Sequence, residues 1–193
     1  MGGRPSQGGQ GYGGGQRQSG NQAQYGETAW EMPRIRTEDI KRAIAEDDPE
    51  LLVELAKQHG EDLAAAGLTN SQIRAVFGAV RQMEGKWTTR RVGEERDADI
   101  RAGRRALLLI KPKLAYQDAR QRAQEKRQDA KRPVSILKQV LDPAIDEVGS
   151  DPKRFVRFLE YFEALLAYYK DKEITQARGG GSGRAQNRQG GSR

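Results

Sequence analysis

The sequence predicts an all-α protein, a compact bundle of about five to six helices with disordered Gly-rich tails. Three observations support this. Between residues 34 and 176, apolar residues recur at spacings of three and four, no apolar/polar alternation lasts for a strand's length, and helix-starting and helix-ending residues recur between the apolar stretches. We therefore expect a tail at 1–33, a helical domain at 34–176 and a second tail at 177–193.

The first part of the domain contains signals for two helices. Thr37 is the expected N-cap of the first helix, and Asp48 followed by Pro49 opens the second. Gly60 is a residue type that closes helices, so we expect the second helix to end there and a short turn to follow it.

The clearest helix start in the sequence is Thr69, an N-cap residue with Gln72 three positions later as its capping-box partner. The apolar residues of the helix that follows lie on one stripe, which is expected to be core. They are Ile73, Val76, Phe77, Val80 and Met83.

After a polar turn over residues 84–96, the pattern predicts a helix that Pro112 kinks or ends. Residues 117–132 have few large apolar side chains and are read either as an exposed helix extension or as a loop. Pro133 reopens a helix, and Asp142 followed by Pro143 is expected to restart it.

The last helix is expected to begin at Asp151 and Pro152, and it has the widest apolar face in the chain. That face is expected to be core and consists of Phe155, Phe158, Leu159, Phe162, Leu165, Leu166 and Tyr169. Replacing Phe77 or Phe162 by alanine is expected to cost about 3–5 kcal/mol each if both rings are buried.

The tails consist largely of Gly, Gln, Ser and Arg, so they lack the apolar area that would offset the entropy of ordering them. Such segments can add weak contacts to single-stranded nucleic acid, but a solubilising role is the simpler interpretation.

Charge is distributed unevenly along the chain, whose net charge is +7. Residues 27–73 hold 11 acids and 5 bases, residues 74–138 hold 18 bases and 8 acids, and residues 139–177 hold 8 acids and 5 bases. A basic middle between acidic segments indicates one face for a polyanion, with the acidic faces left for proteins or water. The alternative is that these cations only solvate long helices.

The amino-acid composition also excludes several classes of functional site. The chain has no cysteine, which excludes disulfides, thiolate metal clusters and cysteine nucleophiles. Its start has no apolar run, and no apolar stretch approaches the ~20 residues that span a bilayer. We expect a cytoplasmic protein that does not contact membranes.

No catalytic set is recognisable in the sequence. His59 is the single histidine and has no partner at metal-ligand spacing, so a capping or surface role is expected for it. Phosphate-binding loops and nucleophile motifs are absent. We expect no enzymatic activity, no cofactor and no metal.

Three stretches in a fixed order are similar to the small subunit of a type III-A CRISPR effector, the Csm complex. They are residues 68–74 (LTNSQIR), 108–116 (LLIKPKLAY) and 141–145 (LDPAI), the last before a Phe-rich closing helix. The resemblance covers roughly residues 35–172. It does not include the tails, the turn near 90–96 or the run at 117–132.

The resemblance implies a non-catalytic helical bundle of a prokaryotic ribonucleoprotein. Several copies would stack along the backbone subunits that hold the crRNA and help hold target RNA against it. Target cleavage would belong to the backbone subunits, and cyclic oligoadenylate synthesis and DNA cleavage to the large subunit. Expected partners are thus target RNA, crRNA, the backbone and large subunits, and other copies of the chain.

Helical angles and this resemblance together select the candidate RNA contacts. Arg74 and Arg81 share one edge of their helix, and Lys111 and Lys113 flank Pro112. A second tier of candidates consists of Arg104, Arg105 and Arg120, with Arg101 on the same face as the first two. A free-standing, sequence-nonspecific nucleic-acid-binding protein is the alternative function, because a basic segment and Arg/Gly tails would suffice for it.

Overall fold

The computed structural model describes residues 33–124 and 131–179, and nearly all of them are helical. The helices are α1 (Thr37–Ala45), α2 (Pro49–Ala66), α3 (Asn70–Trp87), α4 (Gly93–Leu108), α5 (Ile110–Gln124), α6 (Pro133–Val148) and α7 (Pro152–Gly179). No strand occurs in these two ranges. The all-α class is confirmed, with seven helices in the described residues where five to six were expected.

α7 is the central helix of the bundle. Its apolar stripe is buried as predicted, except that Leu166 is only partly covered. α2 packs along α7 over the largest interface in the fold, while α1, α3 and α6 also contact α7. The packing of α7 therefore determines where most of the other helices lie.

Gly60 does not end α2, contrary to the prediction, since the helix continues to Ala66. A Cβ atom at Gly60 would lie 2.6 Å from the Leu165 carbonyl oxygen and 2.8 Å from the Tyr169 amide nitrogen. The glycine thus lets the α2 backbone approach α7 more closely than any side chain permits. The helix ends instead at Gly67, whose φ of 83° is the left-handed conformation of a C-cap glycine.

His59 is buried, contrary to the capping or surface role that the sequence suggested. Its Nδ1 lies 2.6 Å from the hydroxyl oxygen of Tyr161 on α7, in hydrogen-bonding distance. Because burial disfavours the charged imidazolium, the pKa of His59 is lowered from 6.5 to about 4. A neutral histidine therefore joins α2 to α7 inside the core.

α3 begins as predicted. The Gln72 amide donates to Thr69 Oγ1 at 3.3 Å, and the Thr69 amide donates to Gln72 Oε1 at 2.9 Å, which completes the capping box. Four residues of the predicted stripe are buried, but Phe77 is only half-buried. The ring of Phe77 meets that of Phe162 edge to face, with centroids 5.3 Å apart. The cost in stability of Phe77→Ala is therefore expected to be smaller than that of Phe162→Ala, which corrects the equal values predicted from the sequence.

α4 begins at Gly93 and α3 ends at Trp87, so the polar turn is shorter than predicted. α4 ends at Leu108 because Pro112 lacks the N–H that would bond the carbonyl of residue 108. The buried positions nevertheless continue from α4 into α5 at spacings of three and four. They are Gly103, Leu107, Ile110, Leu114 and Asp118. α4 and α5 thus pack against the bundle through one shared stripe of buried residues.

α6 runs unbroken through Pro143, contrary to the predicted restart. Residues on both sides of the proline are buried, and we attribute the continuity of the helix to this packing. α5 is tied to α6 by the buried Asp118, which accepts hydrogen bonds from Ser135 and Arg122. The run at 117–132 is thus helical to Gln124, and residues 125–130 lie outside the described ranges.

The tails were expected to be disordered at 1–33 and 177–193, and residues 1–32 and 180–193 of these segments lie outside the described residues. α7 continues to Gly179, beyond the predicted domain end at residue 176. None of the helices within 33–124 and 131–179 combines the length and apolarity needed to cross a membrane.

Phe162 and Phe77 provide a matched test of the packing. Phe162→Ala should lower the free energy of unfolding by about 3–5 kcal/mol, and Phe77→Ala by less, about 2–3 kcal/mol, because part of that ring is already in water. Urea denaturation of the full chain measures both values. Equal losses for the two variants would contradict the observed difference in burial.

Acid should destabilise the fold through His59. The unfolded chain protonates His59 near pH 6.5, whereas the folded chain resists until about pH 4. The stability due to neutral His59 is therefore fully present above pH 6.5 and is lost as the pH falls to about 4, a change of roughly 3 kcal/mol. Urea denaturation from pH 7 to pH 4 should show a shallower pH dependence for His59→Gln than for the wild type. Parallel profiles would contradict this assignment, whatever the absolute stability of the variant.

Candidate nucleic-acid interface

The seven basic residues predicted to touch RNA do not form one cluster. Arg74 and Arg81 lie beside α7, Arg104 and Lys111 contact groups at the end of α6, and the rest are exposed on α4 and α5. The remaining members are Arg105, Lys113 and Arg120. These three settings differ in how far the positive charge is already neutralised.

A groove of about 540 Å³ between α3 and α7 has Arg74 on its rim and Phe77 and Leu166 among its lining residues. Arg81 extends from α3 toward α7 and binds two carboxylates, those of Glu84 at 3.0 Å and Glu163 at 3.1 Å. The positive charge of Arg81 is therefore compensated in the free chain.

Glu173 compensates positive charge near Arg74 at the same groove. Lys170 and the Asn70 amide donate hydrogen bonds to the Glu173 carboxylate. These hydrogen bonds, that from Lys170 first, lower the pKa of Glu173, and the nearby charge of Arg74 contributes in the same direction. The α3–α7 groove consequently has little surplus positive charge.

Arg104 and Lys111 face the C-terminal end of α6. Lys111 Nζ donates to both carboxylate oxygens of Asp146 at 2.7 Å, and Arg104 Nη1 donates to Ser150 Oγ at 2.9 Å. Lys111 is thus in an ion pair, whereas Arg104 keeps its full charge beside a neutral hydroxyl.

On the outward face of α4–α5 the cations are not neutralised. This face consists of Arg101, Arg105, Leu109, Lys113, Tyr116 and Arg120. At 100° per residue these positions fall on the side away from the buried stripe that starts at Gly103. All six side chains are exposed, and its four cations make no ion pair with any described residue.

The acids of α4 lie in its first two turns, before Arg101, and the rest of this face has no exposed acid. Between Arg101 and Gln124 the chain carries seven Lys or Arg residues and one acid, Asp118. Asp118 is 1% exposed and is bound to Arg122 and Ser135 in the interior. From Arg101 to Gln124, α4 and α5 therefore present only cations, polar groups and apolar groups to solvent.

Tyr116 is part of this face and was missed by the sequence analysis, which grouped it only with the family-like stretch. The outward position of Tyr116 could have been inferred from the sequence. Leu107, Ile110 and Leu114 set the direction of the buried stripe, and Tyr116 lies about 200° around the helix from Leu114. The same count places Arg120 outward and Lys113 at the flank, about 100° from Leu114.

The described residues contain no group of three or more His, Asp or Glu side chains that could hold a metal ion. His59, the single histidine of the chain, is buried against Tyr161 and does not face a groove.

Comparison with protein families identifies the chain. The model of the family described as Csm2 Type III-A matches residues 46–173, which is 128 of the 193 residues. No curated protein and no solved structure matches the chain significantly. The matched range runs from the end of α1 into α7 and includes all the predicted RNA contacts. The chain therefore belongs to the Csm2 Type III-A family and is a structural subunit that assembles with other subunits in the type III-A CRISPR effector.

Proposed function

We propose that this chain is a non-catalytic RNA-binding subunit that uses the outward face of α4–α5 to hold target RNA within the effector. The observation that carries the proposal is the row of unpaired cations on a helical surface that exposes no acid from Arg101 to Gln124. A phosphodiester backbone is the ligand that such a row fits best, because its charges are regularly spaced and always negative.

The length of the row fits an extended polyanion. Lys113 and Arg120 on α5 are seven positions apart, which corresponds to about 10 Å along the helix at 1.5 Å per residue, and Arg101 and Arg105 extend the row onto α4. This distance exceeds the ~8 Å Debye length at physiological salt, so the row acts through several local contacts. We therefore expect binding that follows the RNA backbone and is largely independent of base sequence.

The other predicted contacts contribute according to how well their charge is already compensated. Arg74 has no direct ion pair and remains a candidate, although Glu173 lies near it. Arg81 and Lys111 would have to exchange a carboxylate for a phosphate. Exposed ion pairs are worth only about 0–1 kcal/mol, so this exchange is feasible but gains little.

Arg104 is bound to a neutral group and could turn toward RNA without losing an ion pair. We place it with Arg74 in a second tier, after Arg105, Lys113 and Arg120. This order differs from the sequence-based one, which put Arg74, Arg81, Lys111 and Lys113 first.

The partners follow from the same separation of charge. We propose that target RNA lies along α4–α5 beside the crRNA, and that the acidic helix α2 faces other subunits. These would include backbone subunits, the large subunit and neighbouring copies of the chain in a prokaryotic cytoplasm. Family membership disfavours the alternative of a free-standing nucleic-acid-binding protein.

The salt dependence of RNA binding tests the proposal. Replacing Arg105, Lys113 and Arg120 together by alanine should weaken target-RNA binding by the reconstituted effector at low salt. It should also make the slope of log affinity against log salt shallower by about 2, since each lost phosphate contact contributes ~0.7 for a single strand.

A matched control removes the same charge elsewhere, through Lys57→Ala, Lys153→Ala and Lys172→Ala on α2 and α7. These residues are outside the proposed face, so the slope should remain that of the wild type. Assembly of both variants into the effector is checked first by size-exclusion chromatography. An assembled α4–α5 variant with wild-type affinity and slope, or a control with the same loss, would refute the proposed face.

A further inference from the structure

Tyr116 occupies an unusual position for an aromatic residue in this fold. Among the aromatic side chains that the structure describes, Tyr116 alone is exposed, at 68%. Its ring has no aromatic partner and its hydroxyl no hydrogen-bond partner among the described residues. The packing of the bundle therefore gives no reason for a large ring at this position.

The neighbours of Tyr116 on the helix are cations. Lys113 precedes it by three residues and Arg120 follows it by four, so all three side chains share one face of α5. Neither cation is paired with a described acid. The two cations are about 10 Å apart along the helix axis, with the ring between them.

We propose that Tyr116 is a stacking platform for one unpaired RNA base, with Lys113 and Arg120 on the phosphates at either side of that base. The inference rests on the proposed function and adds the kind of nucleotide that this part of the face binds. A base in a duplex has its faces covered by its neighbours, so an exposed ring on a helix selects a base that is free to unstack.

The surroundings of the ring favour RNA over a protein partner. An exposed Tyr flanked by Arg could also anchor a protein interface. From Arg101 to Gln124, however, the exposed charge of α4–α5 has one sign and includes no acid. A tyrosine ring between two cations is complementary to a base between two phosphates, because the ring can stack on the base while the cations contact the phosphates.

The test compares two substitutions at one exposed position. Tyr116→Phe keeps the ring, and Tyr116→Leu keeps the helix propensity and the apolar character but removes the ring. Binding of the full chain is measured by fluorescence anisotropy with a labelled, mixed-sequence single-stranded RNA and with the same strand in a duplex. Val53→Ala on α2 serves as a control for an exposed apolar residue outside the face.

We expect Tyr116→Phe to bind as the wild type does and Tyr116→Leu to lose at least fivefold in affinity for the single strand, since one base stack accounts for about 5- to 150-fold. The loss for the duplex should be smaller. The salt slope should not change with Tyr116→Leu, because no charge is removed.

Two results would overturn the inference. If Tyr116→Leu binds the single strand as tightly as the wild type while the triple cation variant has a shallower slope, stacking is refuted and the proposed function stands. If Tyr116→Leu binds RNA normally but fails to enter the effector, the ring belongs to a protein interface. The salt slope thus separates the two proposals, because it should become shallower in the triple cation variant and stay unchanged in Tyr116→Leu.

Discussion

The close approach of α2 to α7 at Gly60 is the constraint on which the rest of the bundle depends. Any side chain at Gly60 would collide with the backbone of α7 near Leu165, so the two helices can lie this close only with glycine there. The neighbouring His59 then reaches Tyr161 and forms a buried hydrogen bond between the same two helices. The contact combines backbone proximity, apolar burial and one polar pair, and it fixes the relative position of the helices that share the largest interface.

Other helices cover α7 on several sides, and α4 and α5 lie at the periphery of the bundle. They contact the bundle through one stripe and pack mainly on α3 and α6. Gly103 permits the close approach of α4 to the Trp87 indole, and the buried Asp118 ties α5 to α6. A narrow attachment leaves the opposite side in solvent, so the sequence there is free to carry cations without a cost in buried charge. The architecture of the chain thereby separates the part that holds the fold together from the part that we propose holds RNA.

Local signals predicted most of the fold. The Thr69 capping box and Pro152 began helices where expected, because their effect is confined to one helical turn. Gly60 and Pro143 were misread for the converse reason, as both are helix-ending residues whose local preference is overridden by packing against distant helices. The site was predicted less well. Spacing within α3 places Glu84 three residues after Arg81, but it does not reveal that the fold brings Glu163 of α7 to the same guanidinium.

Zero-length ultraviolet crosslinking in the assembled effector can locate the target RNA that we propose lies on the outward face of α4–α5. Effector bound to target RNA is irradiated, digested with protease and nuclease, and the crosslinked peptides of this chain are assigned by mass spectrometry. We predict that crosslinks concentrate between residues 101 and 124, with Tyr116 among the modified positions, because aromatic rings beside bases crosslink readily. Crosslinks confined to α2 or α7 of this chain, or found on other subunits and absent from α4–α5, would contradict it.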